Sequence, residues 1–181
     1  DPRLAALLRR TFSRVDVVHA AASDECGEID LWIPESGGLA GISSVVAEAG
    51  RPVRVDRITV DSLKLTDVRF IKLDIEGHEL NALRGAADTI ERDRPTLLIE
   101  VEERHGQMPE VIGLVQSWGY QGRVLLDATW VPLAGFDLAG HQQQTVGELA
   151  RGFISRALHP GKRYINSVLF THTPDPPVAH N

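Results

Sequence analysis

The chain has 181 residues, of which 43% are hydrophobic and 24% are charged, a composition ordinary for a globular protein that buries a core. Its formal net charge of −6 argues against a nucleic-acid groove, since binding phosphates requires a basic surface. The sequence has no apolar run of membrane-spanning length, and its single cysteine, Cys26, excludes an internal disulfide bond and fits a reducing compartment. We therefore expect a cytoplasmic protein that binds no nucleic acid and has no membrane span.

The first predicted element is a helix that begins at Pro2, a residue suited to a first helical turn. A short apolar strand at 15–21 follows it. Residues 28–33 and 53–60 alternate between apolar and polar side chains, as half-exposed strands do, and we predict that they pair as an excursion from the main sheet. A glycine-rich loop at 34–51 connects them.

The most informative element is the strand predicted at 70–76. Its apolar residues occupy every second position and its polar residues crowd toward the carboxyl end: Ile71, Leu73 and Ile75 alternate with Lys72, Asp74 and Glu76. Gly77 then breaks the run, and apolar residues at helical spacing predict one helix that stops before Pro95. A strand that ends in acids and turns into a helix is half of a βαβ unit, in which ligands sit at the carboxyl ends of strands.

The remaining elements are a strand at 96–101, a helix at 111–118, a hairpin at 122–133 and a last strand at 165–171. This alternation of strands and helices predicts an α/β protein with a parallel sheet. The proline-rich residues 174–181 predict a disordered tail.

Two successive predicted strands end in acids two residues apart, Asp74 with Glu76 and Glu100 with Glu102. Residues two apart on a strand point to one face, so neighbouring strands would bring the four carboxylates together. Like charges that close raise at least one pKa, which creates a candidate general base. His78 lies just past the first of these strands and is a further candidate.

The same acids have two other interpretations. Carboxylates and histidines are also ligands for Mg²⁺, Mn²⁺ or Fe²⁺, although no recognised metal-binding spacing occurs here. Alternatively, the acids cap the following helices and face solvent, which is our prediction for Glu79 and Glu103. Cysteine chemistry is not expected, because the acidic turn around Cys26 would raise the pKa of its thiol.

Ser23 and Asp24 follow the first predicted strand and would lie at the same rim of the sheet. An aspartate there can accept a hydrogen bond from an exocyclic amine such as adenine N6. The pair can also form an Asx-turn that only shapes the connection to residue 28. The residues alone leave both interpretations open.

Taken together, these residues resemble the FkbM family of S-adenosylmethionine-dependent methyltransferases. The matching segments, which cover most of residues 1–171, are Ala20-Ala21-Ala22-Ser23-Asp24 with Gly27, Thr59-Val60-Asp61-Ser62-Leu63, Ile71-Lys72-Leu73-Asp74-Ile75-Glu76-Gly77-His78-Glu79, Leu83-Arg84-Gly85-Ala86, Pro95 to Glu100, and Asn166-Ser167-Val168-Leu169-Phe170. The resemblance implies a Rossmann-like class I methyltransferase sheet with helices on both faces, in a domain over residues 1–173.

The resemblance also implies S-adenosylmethionine as the cofactor. Ser23 and Asp24 would lie near its adenine, and Asp74 near its sulfonium and amino group. The acceptor would be a hydroxyl on a sugar, a glycolipid or a polyketide-like metabolite. A base must take the proton of that hydroxyl, and we expect it among Glu76, His78 and Glu100, with Asp74 as a positioning residue.

The chain departs from the family pattern at its amino-terminal side. The glycine-rich loop after the family's first strand is absent, and so is the acid that ends its second strand. We therefore expect a chain that lacks the first strands of the fold. An inactive fragment or a binding module is the alternative function that this departure leaves open, beside the metal-dependent enzyme.

Overall fold

A computed structural model describes residues 2–33, 51–146 and 163–172 of the chain. The chain forms two compact units: the first comprises residues 1–67 and 75–93, and the second comprises residues 68–74 and 94–181. Most of the predicted glycine-rich loop and all of the predicted tail lie outside the described residues. Within those residues, no helix is both long and apolar enough to cross a membrane.

The first unit contains a three-stranded sheet and three helices. Its elements are α1 (Pro2–Thr11), β1 (Ala21–Ala22), β2 (Gly27–Ile33), β3 (Arg51–Ile58), a 3-10 turn (Asp61–Leu63), α2 (Glu79–Arg84) and α3 (Ala87–Asp93). The strand order is β1-β3-β2, with β1 parallel and β2 antiparallel to β3. Ile29 lies opposite Val55, so the predicted pairing of the two alternating segments is confirmed.

The strand predicted at 15–21 is wrong in its extent. The strand at this position is limited to Ala21 and Ala22, which pair in parallel with Arg57 and Ile58 at the end of β3. Val15 and Val18 are 57% and 52% exposed, so the apolar run that predicted a strand is not a buried one.

The single helix predicted after Gly77 is divided into α2 and α3 at Gly85. A Cβ atom built on Gly85 would lie 1.8 Å from the backbone carbonyl oxygen of Ser23. Only glycine permits this contact, and the chain turns there instead of continuing the first helix. The glycine thus sets how closely the helical segment approaches the turn at Ser23 and Asp24.

The described residues of the second unit form a five-stranded sheet and two helices. Its elements are β4 (Phe70–Leu73), β5 (Thr96–Glu100), a 3-10 turn (Glu103–His105), α4 (Met108–Ser117), β6 (Tyr120–Leu126), β7 (Thr129–Pro132), α5 (Leu138–Thr145) and β8 (Ser167–His172). The strand order is β4-β5-β8-β6-β7. Only β4 and β5 are parallel in this sheet, and the other described pairs are antiparallel, so the predicted parallel sheet is confirmed in that one pair.

Alternating residues of the central strands form the core of the second unit. Leu97, Ile99, Val124, Val168 and Phe170 are each 0% exposed. The predicted hairpin is confirmed as β6 and β7, joined at residues 127 and 128, which both have positive φ values of 45° and 64°. Two consecutive positive φ values match the right-handed twist of paired strands.

The strand carrying the predicted acidic rim is shorter than expected. β4 ends at Leu73, so Asp74 and Glu76 follow the strand and do not extend it. Glu76 has φ of 54°, in the left-handed region. The two acids therefore do not share a strand face, and the strand argument for their proximity does not hold. Glu100 is the last residue of β5, which ends one residue before the predicted strand does, and Glu102 follows the strand.

Candidate functional site

Four polar residues of the first unit form a connected group, the Asp24 cluster: Ser23, Asp24, His78 and Asn81. The Ser23 hydroxyl donates to Asp24 Oδ1 at 2.9 Å and lies 2.9 Å from His78 Nε2. The Asn81 amide donates to Asp24 Oδ2, also at 2.9 Å. The structure thus brings together Ser23, Asp24 and His78, three residues singled out from the sequence, and adds Asn81.

The local fold explains why these side chains meet. Ser23 is fully buried, and its backbone N–H donates to the carbonyl of Ile58 at the end of β3. His78 is the residue before α2, and Asn81 lies three positions later, so both project from one side of the helix start. Gly85 allows the same segment to approach the Ser23 backbone.

The hydrogen bonds in the Asp24 cluster favour a charged carboxylate beside a neutral imidazole. Partial burial raises the pKa of Asp24, but hydrogen bonds from Ser23, its own backbone and Asn81 outweigh that effect and hold the pKa below its ordinary value. Burial lowers the pKa of His78, against the opposing influence of Asp24 and Glu79. At neutral pH, Asp24 is therefore ionised and His78 is uncharged.

The loop between Asp74 and His78 is held by a buried carboxylate. Glu79 is 6% exposed, and it accepts hydrogen bonds from the backbone N–H of Ile75 at 3.1 Å and of Gly77 at 3.0 Å. Glu79 was expected to cap a helix and face solvent, and the solvent-facing part of that prediction is wrong. Its role is to fix the loop that carries Glu76 and His78.

A second group, the Asp74 cluster, lies in the second unit and consists of Lys72, Asp74, Glu100 and Asn166. The Lys72 ammonium donates to Asp74, and the Asn166 amide donates to Glu100. A hydrogen bond from Lys72, followed by one with Glu100, lowers the pKa of Asp74. The neighbouring acid therefore does not raise the pKa of Asp74, because the Lys72 ammonium two residues away stabilises its charged form.

The structure confirms that Asp74 and Glu100 are close, since β4 and β5 are neighbouring parallel strands. The Lys72 ammonium favours negative charge on Asp74. Each carboxyl of the pair is thus held by a donor, Asp74 by the Lys72 ammonium and Glu100 by the Asn166 amide.

Glu102 adjoins the Asp74 cluster in the second unit through Asn166. It is 7% exposed, and its carboxylate pairs with Arg104 and lies 3.4 Å from His105 Nε2. Burial, together with the negative charge of Glu102 and a hydrogen bond to it, raises the pKa of Tyr164 to about 12. Asn166 Nδ2 lies 3.4 Å from Glu102 Oε1.

Gln142 is the structural residue that the sequence did not reveal. It is 2% exposed on α5, and its amide donates to the carbonyls of Val101 and Ile165 at 2.8 and 2.9 Å. Its Oε1 accepts from the backbone N–H of Glu103 at 2.8 Å. It therefore holds the segments that follow β5 and precede β8. A glutamine among polar helix residues carries no pattern that distinguishes it from a surface position.

The prediction for Cys26 is wrong in direction. A hydrogen bond from the Thr59 backbone, followed by one from Ser62, lowers the pKa of this exposed thiol below its ordinary value. The acidic residues of the turn around Cys26, which had suggested a raised pKa, are not among the groups that shift the pKa of its thiol.

Comparison with known proteins identifies the family. Residues 13–121, more than half of the chain, match the Methyltransferase FkbM domain. The fold is similar to the crystal structure of a methyltransferase FkbM from Methylobacillus flagellatus KT, with a TM-score of 0.50 and 18% sequence identity. That match covers 94% of this chain, which spans 32% of the length of the other.

No curated protein matches the chain significantly. The structural likeness confirms the predicted Rossmann-like α/β class and, at this level of identity, concerns the fold alone. The family match rests on the sequence itself and includes the Ser23-Asp24 turn and the Asp74–Glu79 loop. The chain therefore belongs to the FkbM methyltransferase family.

Proposed function

We propose that this methyltransferase chain uses S-adenosylmethionine to methylate a hydroxyl group on a sugar, a glycolipid or a polyketide-like metabolite. Family membership supports methyl transfer in general. The use of S-adenosylmethionine is supported by the Asp24 cluster, in which an exposed, ionised carboxylate is held in place by two neighbouring side chains.

The residues of the Asp24 cluster fit an adenine-containing cofactor. Each carboxylate oxygen can accept two hydrogen bonds, and Oδ1 and Oδ2 of Asp24 each receive one from a neighbouring side chain. The remaining acceptor capacity suits an exocyclic amine such as adenine N6. When bound, S-adenosylmethionine would supply the methyl group, carried on a sulfonium. The part of Ser23 is to hold Asp24 in the acceptor orientation.

The Asp74 cluster supports the second requirement of the reaction, removal of a proton from the acceptor hydroxyl. Alcohols are poor nucleophiles while protonated, so a base within hydrogen-bond reach accelerates their attack. We propose Glu76, His78 and Glu100 as the candidates for this base, with Asp74 as the positioning residue. Glu100 is the first candidate to test, because its carboxyl lies beside Asp74 and is held by a hydrogen bond from the Asn166 amide.

A metal-dependent enzyme has less support from the same residues. Lys72 donates to Asp74, and Asn166 donates to Glu100. A divalent cation would have to compete with an ammonium and an amide for these oxygens, and it would lie beside a positive charge. The non-catalytic binding module differs from our proposal only in turnover, so a kinetic measurement separates the two.

Calorimetric titration of the chain with S-adenosylmethionine tests cofactor binding, with Asp24→Asn as the variant and Glu91→Gln, an exposed acid of α3, as the matched control. We expect binding by the wild type, about tenfold weaker binding by Asp24→Asn, and no change in the control. Absence of binding by the wild type would refute the cofactor assignment.

Single-turnover methyl transfer to a panel of hydroxylated acceptors tests the base. We expect Glu100→Gln to slow transfer by about 10²–10⁴-fold, the usual contribution of a positioned base, with cofactor affinity retained. Glu110→Gln, an exposed acid at the start of α4, is the control. Equal rates for Glu100→Gln and the wild type would exclude Glu100 and leave Glu76 as the next variant to measure.

A further inference from the structure

The buried Ser23 hydroxyl has one proton to share between two neighbouring side chains. This oxygen has two partners at 2.9 Å, Asp24 Oδ1 and His78 Nε2, and it carries one proton. It can therefore donate to only one of them and must accept from the other. A fully buried hydroxyl requires such partners, since leaving it unpaired is costly.

The charge of Asp24 decides the direction of both hydrogen bonds. An ionised carboxylate has only lone pairs to offer, so the Ser23 proton must point toward Asp24. The remaining contact is favourable only when His78 Nε2 carries a proton and donates it to Ser23 Oγ. The opposite arrangement would set lone pairs of the hydroxyl against those of the carboxylate.

The charge of His78 follows from its surroundings. The charged groups that act on it are Asp24 and Glu79, which favour the imidazolium, and Arg57, which opposes it. Burial outweighs the two acids, so the ring is neutral and bears a single proton. With that proton on Nε2, the lone pair of the ring lies on Nδ1.

We propose that His78 is a positioning residue which, as the Nε2–H tautomer, donates to the Ser23 hydroxyl and thereby orients the Asp24 carboxylate toward an amine donor of the cofactor. The assignment of that donor rests on the proposed function, whereas the relay from His78 through Ser23 to Asp24 does not. Asn81 holds the second oxygen of Asp24, so both carboxylate oxygens are fixed from α2 and the residue before it. His78 acts through Asp24, which leaves Glu76 and Glu100 as the base candidates.

Nitrogen-15 NMR of the histidine rings at pH 7.5 tests the relay without any cofactor. The chain has seven histidines, and the signal of His78 is identified by its loss in His78→Gln. We expect a protonated Nε2 and an unprotonated Nδ1. A proton on Nδ1, or a doubly protonated ring, would overturn the proposal.

Carbon-13 titration of the Asp24 carboxyl tests the positioning effect with variants of graded reach. The amide nitrogen of glutamine can take the place of Nε2, whereas the shorter asparagine cannot reach Ser23. We expect the Asp24 pKa to rise in Ser23→Ala and in His78→Asn and to stay near the wild-type value in His78→Gln. His141→Asn is the control, because His141 is also a half-buried histidine, and its ring hydrogen-bonds to the carbonyl of Arg163 in the second unit.

Calorimetry with S-adenosylhomocysteine completes the test. We expect about tenfold weaker binding for His78→Asn and for Ser23→Ala, recovery to within about threefold in His78→Gln, and no further loss in the His78→Asn/Ser23→Ala double variant. Equal affinity of His78→Asn and His78→Gln would overturn the positioning role. If the wild type binds no cofactor but the Asp24 pKa responds as expected, the relay stands and the proposed function fails.

Discussion

Asp24 and Asp74 show how two carboxylates acquire different chemical characters from their donors. Neutral groups, the Ser23 hydroxyl and the Asn81 amide, hold Asp24, which keeps a full negative charge for a ligand amine. A cation, Lys72, holds Asp74, whose charge is therefore already compensated. The first arrangement suits recognition of a neutral donor, and the second suits a positioning group beside Glu100.

The reactivity of the Cys26 thiol can be measured directly, because Cys26 is the single cysteine of the chain and is exposed. Hydrogen bonds from the Thr59 backbone and Ser62 stabilise its thiolate, which lowers its pKa. The rate of alkylation by iodoacetamide, measured against pH, should therefore have its midpoint below that of the unfolded chain. The same titration in guanidinium chloride provides the reference, and an equal or higher midpoint in the folded chain would contradict the assignment.

At the scale of elements, the break between α2 and α3 fixes the Asp24 cluster to the first sheet. We predict that Gly85→Ala destabilises the chain by about 1–3 kcal/mol and weakens cofactor binding, because the added Cβ would lie 1.8 Å from the Ser23 carbonyl oxygen. Gly113→Ala is the matched control. No atom lies within 4 Å of a Cβ at that exposed position of α4, so the change should stabilise the chain by about 0.5–1 kcal/mol.

Urea denaturation of the two glycine variants measures both effects on the same scale. A Gly85→Ala protein as stable as the wild type would show that the helical segment can shift away from Ser23 without cost. In that case the Asp24 cluster would not depend on this contact.

The buried Gln142 on α5 is expected to contribute to stability through its three hydrogen bonds to backbone groups. Replacing it with leucine removes the partners of the Val101 and Ile165 carbonyls and of the Glu103 amide. Buried polar groups left without partners make this substitution costly, and we expect a loss of about 2–4 kcal/mol in thermal or urea unfolding. Gln143→Leu, at the adjacent exposed position, should change stability by less than about 0.5 kcal/mol. Similar losses for the two variants would refute the bridging role.

Patterns within one segment were predictable, and contacts between distant segments were not. Alternation located the β2–β3 pair, and the hairpin predicted at 122–133 corresponds to β6 and β7. The break at Gly85 depends on the distant Ser23 backbone, and the burial of Gln142 depends on residues on both sides of it in the sequence. The proximity of Asp74 and Glu100 followed from strand order, whereas the lowered pKa of Asp74 required knowing where Lys72 points.

At the scale of the whole molecule, the chain combines an acidic net charge with functional carboxylates that carry their own donors. The net charge of −6 does not weaken these sites, because local partners decide the protonation of each acid. Local surroundings also decide the pKa values of the tyrosines. The chain has two of them, Tyr120 and Tyr164, and both belong to the second unit.

Both tyrosines should ionise far above the ordinary pKa of about 10. Burial raises the pKa of Tyr120 to about 12, and its hydroxyl donates to the carbonyl of Pro95 at 2.8 Å. Burial and Glu102 raise that of Tyr164 to about 12 as well. Folding favours the neutral phenols, so their contribution to stability is complete below pH 10 and is lost as the pH rises toward 12.

An absorbance titration of tyrosinate formation checks this prediction for the whole chain. The folded protein should show almost no ionisation near pH 10 and a steep rise as it approaches pH 12, where unfolding and ionisation occur together. The chain in guanidinium chloride should titrate near pH 10. Tyr120→Phe should keep one shifted transition, from Tyr164, whereas a normal tyrosine titration in the folded wild type would show that the second unit does not bury these phenols in solution.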